Sequence, residues 1–102
     1  MITDYEITVG PLLTSDPEYI YPQTLHLEMY LSFPNGTTTG AKVQLTCSPH
    51  NEVNGNTAIW FDWTPGVVTT NTFNSMFAVN GIRVVNLDSV KSTTLSVRGN
   101  NT

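Results

Sequence analysis

The chain has 102 residues, eight carboxylates against four basic side chains, a formal charge of −4, and one cysteine. That length holds one domain. Scattered Lys42, Arg83, Lys91 and Arg98 give no clustered cations for phosphate contacts, which excludes direct nucleic-acid binding and weighs against anionic membranes. Cys47 alone excludes an intramolecular disulfide framework.

An opening strand is expected at residues 5–9. Residues 10–22 carry three prolines without clean alternation and read as a loop or extended arm. The clearest period-2 pattern follows: Leu25, Leu27, Met29, Leu31 and Phe33, interleaved with Thr24, His26, Glu28, Tyr30 and Ser32. That spacing predicts a long strand with one dry and one wetter face. Pro34-Asn35-Gly36 breaks it. Val43, Leu45 and Cys47 alternate with Lys42, Gln44 and Thr46 in the next strand, where Cys47 is expected half-buried as a small hydrophobe.

A polar loop is expected at residues 49–56. Ile59, Phe61 and Trp63 then alternate with Trp60 and Asp62, and Pro65-Gly66 ends this strand. Trp60 and Trp63 are three apart, so a strand sends them to opposite faces; Trp63 is expected inside with Ile59 and Phe61. Asn80-Gly81 lies between apolar residues 76–79 and 82–85 and predicts a hairpin with Val79 opposite Ile82 and Phe77 opposite Val84. Residues 86–92 form the last connection, and Leu95 and Val97 flank Ser96 in the closing strand.

Six to seven short strands at regular spacing predict an all-β fold: a small antiparallel β-sandwich, immunoglobulin-like or jelly-roll-like, filling residues 1–102 as one domain. No apolar run approaches the roughly 20 residues of a membrane helix, and no signal-peptide pattern opens the chain, which reads as a cytoplasmic start.

Catalytic and metal chemistry lack required partners. Cys47, His50 and Glu52 lie close in sequence, and His26 and Glu28 share a strand face, but neither group supplies a zinc ligand set. There is no Gly-x-Ser-x-Gly elbow and no phosphate-cradling glycine loop. Asp62 between two tryptophans suggests sugar chemistry, yet no second carboxylate is nominated for glycoside hydrolysis. The expectation is no enzyme, no cofactor and no metal. Trp60 and three tyrosines, Tyr19, Tyr21 and Tyr30, are the candidate partner contacts, because aromatic side chains anchor interfaces.

The run from Trp60 through Gly66, then Ile82-Arg83-Val84, Ser89, and Leu95, Val97, Arg98 and Gly99, resembles small β-sandwich modules in tailed-phage virion proteins. Val43 to Ser48 looks like the strand that precedes the Trp in those modules. The likeness spans roughly residues 23–99 and departs at Lys91-Ser92, where the family pattern has Ser-Gly. The shared positions are structural. The resemblance implies a virion protein assembled in a bacterial cytoplasm, foremost a capsid decoration or cement protein that contacts the major capsid protein or other virion subunits, as a homo-oligomer or lattice-bound part. A tail or fibre component, or a carbohydrate-binding module using Trp60, is the alternative.

Overall fold

A computed structural model describes residues 3–20, 26–55, 57–63, 66–77 and 79–100. Eight strands are formed: β1 (Thr3–Val9), β2 (Glu18–Tyr19), β3 (His26–Ser32), β4 (Ala41–Thr46), β5 (Phe61–Asp62), β6 (Thr72–Phe77), β7 (Gly81–Asn86) and β8 (Thr93–Asn100). They pair antiparallel into two four-stranded sheets, β1-β8-β3-β6 (sheet A) and β2-β7-β4-β5 (sheet B). Every connection between consecutive strands changes sheet except β4 to β5, which are neighbours in sheet B. This is the jelly-roll order, the second of the two sandwich topologies that the strand pattern allowed.

Alternation builds the core. In sheet A, Leu27, Met29 and Leu31 point inward, and register places Leu27 beside Gly99, Met29 beside Val97 and Leu31 beside Leu95. In sheet B, Val43 lies beside Val84 and Leu45 beside Ile82. Ile20 and Val9 join these residues, all buried, and Tyr5, Ile7, Phe33, Trp63, Val68 and Val79 pack partly buried around them.

Four of the sheet-changing connections gather at one end of the sandwich, with described residues 10–17, 33–40, 66–71 and 87–92. Two buried polar side chains tie three of them together. Asn86 Nδ2 donates to the carbonyls of Val9 (3.1 Å), Gly10 (3.1 Å) and Lys91 (2.9 Å), while Asn86 Oδ1 accepts from Asp88 N (3.0 Å). Asp88 accepts from the backbone N–H groups of Thr38, Thr39, Val90 and Lys91 and from the Thr38 hydroxyl. These bonds, the Thr39 N–H first and those of Lys91 and Thr38 next, hold the Asp88 carboxyl well below the ordinary carboxylate range. Gly40 completes this end. Its φ of +84° is open to glycine, and a Cβ there would stand 1.9 Å from the Val68 carbonyl oxygen.

At the other end a short helix, α1 (His50–Asn54), lies over sheet B. Val53 is fully buried there. It packs where Gly81 offers no side chain: a Cβ on Gly81 would meet Thr46 Cγ2 at 2.9 Å and Val53 Cγ1 at 3.1 Å.

Several sequence expectations are corrected. The described residues hold eight strands, because Glu18–Tyr19 inside the expected arm pairs with β7. The polar loop after Pro49 contains a helical turn. Cys47 is exposed, just past the end of β4. Asn80-Gly81 is not a hairpin turn: β6 belongs to sheet A and β7 to sheet B. The dipeptide serves packing instead. Gly81 makes room for Val53, and Asn80 Nδ2 donates to the carbonyls of Cys47 and Ser48. Finally, Ile59 and Phe61 are not core residues but are 79% and 47% exposed: Ile59 precedes the paired residues, and β5 is a two-residue edge strand with no further strand beside it.

Candidate functional site

Three surfaces concentrate chemistry. The first is the outer face of sheet B. The alternation that buries Val43, Leu45, Ile82 and Val84 turns Lys42, Gln44 and Arg83 outward, and the register brings Asp62 beside Gln44 and Gln44 beside Arg83. A connected chain results. The Arg83 guanidinium lies 4.4 Å from the centroid of the Trp60 ring, and its Nε donates to Gln44 Oε1 at 2.8 Å. Gln44 Nε2 donates to Asp62 Oδ1 at 2.9 Å, and Lys42 Nζ reaches Asp62 Oδ2 at 3.1 Å. The Asp62 carboxyl is held below its ordinary value, by the Gln44 hydrogen bond first and by Lys42 next. Partial burial lowers the Arg83 value. The guanidinium is thereby fixed in orientation on an otherwise flat surface.

The second surface is the outer face of sheet A. Glu28 and Tyr30 alternate with the buried β3 residues, and the register places Tyr30 between Phe73 and Ser96 and Glu28 between Ser75 and Arg98. Glu6 of β1 sits beside Ser96. Glu6, Glu28, Tyr30, Phe73 and Arg98 rim a shallow depression of about 350 Å³. Two aromatic rings stand on one side of Ser96 and a carboxylate on the other.

The third is the loop end. Leu12 is 66% exposed, Leu13 59% and Val90 72%. Leu12 holds φ +58°, a conformation that non-glycine residues seldom adopt. Its N–H donates to the Asp88 carbonyl (3.0 Å), and the Leu13 carbonyl accepts from Asn86 N (2.9 Å). The loop bearing the leucines is therefore fastened to the same polar clasp that orders the loop bearing Val90.

The four aromatic candidates do not form one patch. Tyr30 is exposed on sheet A. Trp60 is half-buried on the opposite sheet, with one ring face covered by Arg83, so a sugar stacking on that face would first have to displace the guanidinium. Tyr19 stacks on His50 at 3.8 Å with planes 13° apart, and its carbonyl accepts from the Tyr5 hydroxyl; the ring bonds β2 to the helix. Tyr21 lies outside the described residues. His50, beside Cys47 and Glu52 in sequence, also accepts from Asn54 Nδ2. Among the described residues, no three His, Cys, Asp or Glu side chains gather as a metal site, and no helix is long and apolar enough to cross a membrane.

Sequence reading missed Phe73, Arg83, Leu12 and Val90 as surface residues of interest. Phe73 had no usable signal, because Phe73 and Met76 are three apart and a period of two assigns them to opposite faces. Arg83 had none, since its partner Gln44 is 39 residues away and its stacking ring belongs to a third segment.

No protein-family model and no curated protein matches the chain. Among solved structures it is similar to a chain from work described as "Bacillus endospore appendages form a novel family of disulfide-linked pili", with a TM-score of 0.46 and 12% identity over 99% of this chain and 89% of that one.

Proposed function

We propose that this chain is a non-enzymatic structural part of a phage particle, a decoration or cement subunit that stabilises the head shell by binding the major capsid protein. The observation that carries an adhesive role is the rigid apolar loop end. Leu12, Leu13 and Val90 are each more than half exposed, on loops held by buried Asn86 and Asp88. Holding apolar side chains in water in a fixed arrangement, one of them in a strained backbone conformation, favours a partner that covers them without further ordering cost. The virion setting comes from the resemblance of residues 23–99. Each contact of this kind is small, and repetition over a shell multiplies it.

The test is binding to capsids that lack the protein. Purified chain mixed with such capsids at micromolar concentration is expected to co-sediment with them. The double variant Leu12→Ser/Val90→Ser is expected to bind at least about tenfold more weakly, since each large apolar side chain contributes roughly 1.5–3 kcal/mol when fully buried. No co-sedimentation of the unmodified chain at that concentration overturns the proposal.

A further inference from the structure

The two outer sheet faces carry opposite charge patterns. Among the described side chains, the face of sheet A presents Glu6 and Glu28 with one cation, Arg98. The strands of sheet B present Lys42 and Arg83 outward with one anion, Asp62. Two acids and a base thus stand on one side of the sandwich, and two bases and an acid on the other.

Detail reinforces this complementarity. On sheet B, Trp60 and Gln44 pin Arg83 through its ring contact and its Nε, and the two terminal amino groups have no partner among the described residues. A preoriented guanidinium with free terminal N–H groups is suited to a carboxylate. On sheet A, the depression offers two carboxylates beside the rings of Tyr30 and Phe73, a lining suited to a guanidinium that is stacked and paired at once. One surface of the chain thus holds the group that the other is built to receive.

We infer that copies of this chain stack head to tail, the outer face of sheet A of one copy lying on the outer face of sheet B of the next. Such a contact is heterologous, so it propagates into a row or ring and does not stop at a pair. Its size sets its strength. Four strands about 4.8 Å apart and seven residues at roughly 3.3 Å each give a face of about 440 Å². Sheet B, whose β2 and β5 have two residues each, presents a smaller face, so the two together bury less than ~900 Å², below the ~1,200 Å² of a stable pair. The contact therefore acts between copies already brought side by side. The inference adds a second partner to the assembly role proposed above and rests on it only for that proximity. Self-association is read on the protein alone and capsid binding on capsids, so each can fail without the other.

The experiment is a concentration series of amide NMR spectra and sedimentation velocity up to about 1 mM, the range in which contacts act through repetition. Three samples are compared: the unmodified chain, Arg83→Glu and Glu28→Arg. Both substitutions are at surface positions, and spectral dispersion verifies that the variants fold. The unmodified chain is expected to show concentration-dependent shifts at Lys42, Gln44 and Arg83 and at Glu6, Glu28 and Tyr30. These shifts should be lost in about 1 M salt, where the screening length falls to ~3 Å. Each variant alone makes its two faces alike in sign and is expected to lose the shifts. An equimolar mixture restores opposite faces and is expected to recover at least half of them. Absence of concentration-dependent shifts in the unmodified chain, shifts confined to the sheet edges or the loop end, or failure of the mixture to recover would each overturn the inference.

Discussion

Replacing Asn86 by alanine tests whether the polar clasp, and not the apolar core alone, fixes the loop end. Asn86 is 1% exposed and its amide serves three carbonyls and one N–H. The bonds to Val9 O and from Asp88 N are buried, while those to Gly10 O and Lys91 O are partly reached by water. Counting the two buried groups only, at roughly 1–3 kcal/mol for each left without a partner, the loss is about 3 kcal/mol, with a floor near 2. A domain of this size has about 5–15 kcal/mol in total. At ~4–8 °C per kcal/mol the melting temperature falls by roughly 12–24 °C. Urea titration followed by tryptophan fluorescence measures it, the midpoint moving by ~2 M for a slope near 1.5 kcal/mol per M. Exposed Ser92→Ala in the same loop is the control and is expected to change stability by less than about 0.5 kcal/mol. A loss below about 1 kcal/mol for Asn86→Ala would refute the reasoning, since water would then be replacing the amide at sites the structure closes to it.

Gly40→Ala is expected to abolish the soluble fold, because its Cβ would stand 1.9 Å from the Val68 oxygen, whereas Gly66→Ala, at φ +85° with nothing within 4 Å, should cost only ~1 kcal/mol; thermal melts of the two separate steric from conformational cost. The Asp88 carboxyl has a depressed folded value, so its stabilisation is present above the unfolded value near pH 4 and is lost as pH falls from there through the lower folded value. Asp88→Asn is expected to be less stable at neutral pH and to show a flatter loss of stability below about pH 4, measured by urea midpoints across pH. Leu27→Ala, at a fully buried position between two sheet A strands, is expected to cost about 2–5 kcal/mol by the same assay. Arg83→Met uncovers the Trp60 ring and is expected to raise acrylamide quenching of tryptophan emission with little change in stability.

The core strands were legible because burial writes itself into local alternation. Leu27, Met29 and Leu31, and likewise Val43 and Leu45, occupy the positions that a period of two assigns to a dry face, and each is buried. Partner choice leaves no such local mark. Asn80-Gly81 has the composition of a hairpin turn, yet the chain passes there from one sheet to the other, because Gly81 is needed small beneath Val53 and Asn80 is engaged by carbonyls more than 30 residues away. The same limit explains Ile59 and Phe61. Their alternation is that of a half-buried strand, but only Phe61 and Asp62 pair, at the sheet edge, and no neighbouring strand completes the burial.

Surface residues show the same division between local and distant causes. Tyr19, Tyr30 and Trp60 were nominated for residue type, and the fold then gave these three different employments. Tyr19 fastens β2 to α1, Trp60 supports Arg83, and Tyr30 alone stands open beside Phe73. The charge asymmetry between the faces is written across β1, β3, β4, β5, β7 and β8, and it emerges only when register assigns each charge to a side. A jelly roll makes that separation effective: its polar clasp is gathered at one end and its helix at the other, so the two faces carry no long loops of the clasp. The chain can therefore hold its fold with buried amide and carboxylate groups at the loop end while its exposed charges remain free to choose a neighbour. On this argument substitutions at Asn86 or Asp88 should act on stability, and charge reversals at Glu28 or Arg83 on association.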